Sequence, residues 1–219
     1  MMPVSPAVKP PTFDTNVKIP GLRAISEMVG QVPNPPRTAG RPFKKIAKAK
    51  KNIPSAAFPA YWTEALNDLM SAYQQSCAYS GFRIHPVTGA RSADHMIAKS
   101  KSWRHVYEWS NYRLACSMLN SRKNNFSDVL DPFKIKPGWF VLNLVTFEIE
   151  SGSGLGKPIT AKIEETIKRL GLNNFRHVRE EYTEEYLKNG ISIGVLKKEA
   201  PYIAFELSRQ KKLKAGDIY

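Results

Sequence analysis

The chain has 219 residues, 42% of them hydrophobic, with four Trp, nine Tyr and ten Phe, enough for one domain with its own core or a small catalytic module wrapped by helical extensions. It carries no long apolar run, which argues against a membrane span or a membrane partner, and two Cys are too few for a disulfide framework. A net charge of +14 and a pI near 9.8 point instead to a polyanionic partner, nucleic acid first, because a basic surface releases counterions when it binds one.

The first residues, MMPVSPAVKPPTF, have no apolar stretch behind their few charges, so they do not read as a secretory signal and a cytoplasmic location is the expectation. Residues 1–58 are rich in proline and lack apolar periodicity, and they are expected to be an extended, partly disordered basic segment rather than core. Charge concentrates here: through residue 60 there are ten Lys or Arg against Asp14 and Glu27, whereas the rest of the chain carries 23 against 17. The densest run is RPFKKIAKAKK, in which Lys44 and Lys45 are candidates for tracking phosphates.

From Pro59, residues Trp62, Leu66, Leu69, Met70 and Tyr73 recur at helical spacing and predict an amphipathic helix ending near Ser76. Residues 77–97 read as two strand-like runs, CAYSGFRI and ARSADHMI, joined by the turn residues HPVTG into a hairpin or a looser Ω-shaped excursion. Between Trp103 and Asn125 the apolar spacing predicts one or two helices, with Ser110 as an N-cap. WFVLNLVTFEIE predicts a strand, SGSGLGK a turn rather than a phosphate loop, and residues 159–219 more helix. The division is therefore 1–58, a core of 59–135, and a strand-plus-helix extension of 136–219.

One stretch carries chemistry. Asp94 directly precedes His95, Asn111 follows, Asn120 comes nine residues after Asn111, and Lys123 three after that. This joint spacing resembles the HNH endonuclease family. The resemblance implies an α+β fold, with a ββα-metal (His-Me finger) core embedded in a mainly helical protein. It also implies a metal-dependent endonuclease that cuts DNA, with RNA as the other candidate substrate. Phosphodiester hydrolysis needs a base for water and a hard cation to neutralise the phosphorane, and histidine suits the first task because it titrates near neutrality. On the family pattern His95 is the general base and Asn111 accepts from its ring. Asp94 and Asn120 hold Mg²⁺ or Mn²⁺, which prefers oxygen ligands. Lys123, on the helix face of Asn120, would reach a substrate phosphate, and Lys99, Arg91 and Arg122 are further candidate nucleic-acid contacts. Because a strand sends neighbouring side chains to opposite faces, an irregular backbone is expected at Asp94-His95.

Many family members add two C-x-x-C pairs that hold a structural zinc; here the positions read Cys77, Ser80, Cys116 and Leu119. No structural zinc is expected, with Phe82, Leu114 and Leu119 joining hairpin to helix by apolar packing, although His85 or His105 would offer the alternative of a Cys₂His₂ set. The runs IAKSKSW, YEWSNYRLAC and LDPF further resemble the HNH subunits of Septu- and retron-type antiphage systems, which accompany an ATPase. That likeness implies a defence role and an ATPase partner. Two other readings stay open: a non-catalytic nucleic-acid-binding module, and a regulatory subunit of an ATPase complex.

Overall fold

A computed structural model describes all of residues 1–219. The architecture is mixed α+β: seven α-helices and two small antiparallel two-stranded sheets. No helix is long and apolar enough to cross a membrane.

The N-terminal segment departs from the extended, partly disordered expectation. Asp14–Lys18 form a π-helical turn that continues into helix α1 (Ile19–Met28). Phe13, Val17, Gly21, Ala24, Ile25 and Met28 recur at three- and four-residue spacing and are all buried, an apolar stripe that the prolines before and within it obscured. Phe13 packs edge-on against Trp109 and Tyr112, with ring centroids at 5.6 and 5.7 Å. Gly21 faces the Tyr107 ring so closely that a Cβ there would clash with it. Beyond α1 the basic stretch has no α-helix or strand, only 3₁₀ turns at Lys50–Asn52 and Ser55–Ala57, but it is tied down. Glu27 is buried, accepts both guanidinium bonds of Arg37 at 2.8 Å and the Phe43 N–H at 2.9 Å, and Arg37 holds its carboxyl below the usual range.

The helix predicted from Pro59 is a 3₁₀ segment, Tyr61–Ala65, followed by α2 (Leu66–Ala72). It stops short of Ser76, where Gln74 and Gln75 take positive φ (49° and 61°) and turn the chain toward Cys77. CAYSGFR is not a hairpin strand. It is a tight loop, closed by Cys77 N–H to the Phe82 carbonyl at 2.9 Å and Gly81 N–H to the Cys77 carbonyl at 2.9 Å. The true partner of β1 (Arg91–His95) is β2 (Tyr112–Cys116), with Ala93 opposite Leu114 and His95 opposite Tyr112. The segment read as helical is thus half strand, because ladder pairing with β1 outweighs the local apolar spacing. Ser110 caps no helix; it lies in a 3₁₀ turn, Trp109–Asn111, and α3 (Ser117–Lys123) begins after Cys116.

WFVLNLVTFEIE forms a hairpin, β3 (Phe140–Leu142) and β4 (Ile149–Ser151), rather than one strand. SGSGLGK turns into α4 (Lys157–Leu170), which ends on the left-handed Gly171 (φ 59°). Helices α5 (Arg176–Leu187), α6 (Ile193–Glu199) and α7 (Pro201–Arg209) complete the chain. A single cluster of 38 buried residues draws on Phe13 and Ile25, on Leu114 and Leu119, and on Leu196 and Ile203 alike, so the three segments share one core.

Candidate functional site

Strand β1 and helix α3 bring Asp94, His95 and Asn120 onto the wall of one cavity of about 550 Å³. Ser92, Ala93, Asp94 and His95 all line it. The ladder runs through His95 opposite Tyr112, β1 ends there, and the chain bends at Met96 and Ile97 directly after it.

His95 is nearly buried, and its ring is fixed on three sides. Nε2 lies 2.9 Å from the Val106 carbonyl oxygen, which can only accept, so Nε2 carries the proton and Nδ1 keeps a free lone pair. The Tyr112 hydroxyl donates to the same carbonyl at 2.8 Å. Trp62 and Tyr112 meet the imidazole edge-on at 4.9 and 5.1 Å. Burial lowers the imidazole pKa to about 4, with nearby Lys99 and Lys123 acting in the same direction, so the ring is neutral at physiological pH.

Asp94 is held from below. Its Oδ1 accepts from Lys123 Nζ at 3.1 Å and its Oδ2 accepts from the Tyr79 hydroxyl. Lys123 also donates to the His95 carbonyl at 2.9 Å and is fully buried. Burial pushes the Asp94 carboxyl above its usual range, while Lys123 and Tyr79 pull it back. Asn120 donates through Nδ2 to Ser92 Oγ, and its Oδ1 carries no hydrogen bond. At the end of α3, Asn124 takes positive φ (48°) and turns the chain so that Asn124 and Asn125 form the cavity lip.

Asp94 and Asn120 are the residues of this cavity that could hold a hard divalent cation. Asp94 keeps one lone pair on each oxygen, and the Asn120 amide oxygen is unengaged. No three His, Cys, Asp or Glu side chains cluster anywhere in the chain, so a cation here would fill its shell with water and substrate oxygens, the habit of magnesium.

Several predicted roles are reassigned. Asn111 is buried but does not accept from His95. Its Oδ1 accepts from Ile97 N–H at 2.7 Å, and its Nδ2 donates to the Ile97 and His105 carbonyls at 3.0 and 2.9 Å. It clamps the loop that carries Val106, and Val106 supplies the acceptor. Lys123 cannot meet a substrate phosphate, being sealed beneath Asp94. Arg122 is spent on the C-terminus of α4, donating to the Leu170 carbonyl at 2.8 Å. Arg91 is exposed and bonds Asn67 at 2.8 Å, and Lys44 and Lys45 are exposed on the N-terminal stretch; none of these three lines the cavity. Lys99 does line it, its ammonium 4.1 Å from the Trp62 ring centroid. Trp62, Tyr79 and Val106 are site residues that sequence reasoning misses. Nothing in their sequence neighbourhood marks them, since only the fold carries them to His95 and Asp94.

Around the site, Asp131 of LDPF binds Arg113 through both oxygens at 2.7 Å, and Phe133 lies under the guanidinium at 3.5 Å. Cys77 is buried and accepts from Cys116 N–H at 3.4 Å, while Leu114 and Leu119 are buried in the core with Phe82 packed against it. His85 Nδ1 accepts from Val87 and Thr88 N–H at 3.2 Å, and His105 Nδ1 bonds Ser102 Oγ at 2.8 Å, so both close local turns. A larger cavity, about 890 Å³, lies elsewhere between residues 2–5, the end of α2 and α6; it holds none of the candidate residues apart from Cys77 and Leu114. No family model, curated protein or solved structure matches this chain.

Proposed function

We propose that the chain is a divalent-metal-dependent endonuclease of the HNH type, with a ββα-metal core formed by β1, β2 and α3, that hydrolyses phosphodiester bonds in DNA. The observation that carries this reading is the convergence on one cavity of a neutral, pinned imidazole with a free Nδ1, a buried carboxylate and an unengaged amide oxygen. His95 Nδ1 takes the proton from water as its oxygen attacks phosphorus. The bond to the 3′ oxygen breaks, leaving a 5′ phosphate and a 3′ hydroxyl that takes its proton from solvent. The Val106 carbonyl stabilises the imidazolium as it forms, because it already accepts from Nε2. Asp94 and Asn120 are the residues that would hold Mg²⁺ or Mn²⁺, which when bound neutralises charge on the phosphate. Lys123 and Tyr79 fix the carboxylate, and Lys99 at the rim attracts the phosphate. The charge of +14 supports a nucleic-acid substrate.

The decisive test is plasmid nicking with Mg²⁺, Mn²⁺ or EDTA. His95→Ala should lower cleavage by about 10²–10⁴-fold, the usual weight of a general base, with DNA affinity in EDTA retained. Full cleavage by a folded, contaminant-free His95→Ala preparation would remove the enzymatic reading. A role in antiphage defence beside an ATPase remains part of the proposal through the sequence resemblance alone, and co-purification with an ATPase encoded next to it tests that part.

A further inference from the structure

A second cavity, of about 720 Å³, adjoins the first, sharing Ala98 and Asn125 as common wall. Beside the shared Ala98, the Asn111 amide bonds both the N–H and the carbonyl of Ile97 and also the His105 carbonyl. Charge in this second cavity is one-sided. Its carboxylate, Asp131, is bound at both oxygens by Arg113, whereas Lys101 and Lys134 are exposed and take part in no ion pair. Phe126 also lines it, 42% exposed, with the Arg169 guanidinium 3.7 Å from the ring centroid behind it. Two cations outside any ion pair and a braced aromatic ring, continuous with a cavity that holds an imidazole and a carboxylate, match the backbone and bases of a nucleic-acid strand.

We infer that the second cavity is a strand-binding subsite. Lys101 and Lys134 contact phosphates adjacent to the scissile one, and Phe126 stacks a base. Only the identification of the first cavity as the cleavage point rests on the nuclease reading; the binding does not. A polyglutamate chain would answer the two lysines but offers no planar ring to Phe126.

The test uses the full chain and a fluorescent single-stranded DNA 12-mer, followed by anisotropy in EDTA across a salt series. Lys101→Ala/Lys134→Ala should weaken binding and flatten the slope of log affinity against log salt by about 1.4, since each phosphate that a lysine neutralises on a single strand adds roughly 0.7. Phe126→Ala should weaken binding about fivefold or more, without changing that slope. Unaltered affinity and slope in the lysine double variant would overturn the subsite, whether or not the protein cuts DNA. Competition by polyglutamate as effective as that by unlabelled 12-mer would overturn the nucleic-acid assignment. In parallel, cleavage of bis(p-nitrophenyl) phosphate and of the 12-mer is followed with Mn²⁺. A fall in 12-mer cleavage at least tenfold greater than the fall in diester cleavage in the double variant supports the subsite, and equal falls count against it. If the wild type cuts neither substrate while the salt-slope effect persists, the nuclease reading falls and the groove stands.

Discussion

Lys123 and Arg179 are both fully buried cations, yet they are satisfied in opposite ways. Arg179 meets only neutral oxygens: the Phe147 carbonyl at 2.7 Å, the Leu172 carbonyl at 2.9 Å and Asn173 Oδ1 at 3.1 Å. It ties the β3–β4 hairpin to the junction of α4 and α5, and no carboxylate is within salt-bridge reach. Lys123 meets a carboxylate, Asp94, and the backbone of the neighbouring His95, under the floor of the cavity. The contrast separates two uses of buried charge. A guanidinium that only gathers backbone can be satisfied by dipoles, whereas an ammonium beneath a site is matched to the anion whose position that site requires.

Substituting each cation tests the difference. Lys123→Met should cost about 3–5 kcal/mol of stability, because it strands the Asp94 carboxylate in a low-dielectric interior. Adding Asp94→Asn should return part of that stability in chemical unfolding, while cleavage stays abolished in both variants. A Lys123→Met protein of native stability would show that the pair is not what holds the cavity floor. Arg179→Met should cost less, about 2–3 kcal/mol from several carbonyl acceptors left unmet, and per folded molecule it should cleave DNA at the wild-type rate. A specific loss of turnover there would erase the distinction. Arg122→Ala is smaller again, about 1 kcal/mol from an uncapped α4, and the salt dependence of DNA binding should be unchanged, since its guanidinium already serves the Leu170 carbonyl.

The smallest effect expected is that of pH on His95. Its folded pKa lies below the ordinary value, so the neutral, proton-accepting form is present above about pH 4 and lost below it. Cleavage limited by this group should fall by only about a tenth between pH 7 and pH 5, on the usual titration relation. A steep fall between pH 7 and pH 6 would mean a solvated ring at its ordinary pKa. The same shift carries a stability cost of opposite reach. Between the unfolded value near 6.5 and the folded value near 4, the unfolded chain binds the proton and the folded chain does not, so stability declines as pH falls through that window.

Some of this was written along the chain. The adjacency of Asp94 and His95, and the steps to Asn111, Asn120 and Lys123, single out the stretch from which the cavity is built, because chemistry-bearing residues at fixed spacing are visible without a fold. The helical spacing in 159–219 is likewise local, and α4 and α5 follow it. The stripe Phe13, Val17, Gly21, Ala24, Ile25 and Met28 was equally available, but the prolines before and within it masked it.

Partners separated along the chain were decided only in three dimensions. That β1 pairs with Tyr112–Cys116 rather than with Cys77–Ile84 depends on a ladder across an excursion of sixteen residues, which local periodicity cannot report. The choice of Val106 over Asn111 as the acceptor for His95, and the sealing of Lys123 under Asp94, depend on burial and on which oxygen lies within hydrogen-bond reach. Sequence spacing names the residue types a site can use, whereas their roles are set by distances and desolvation, which exist only once the chain has packed.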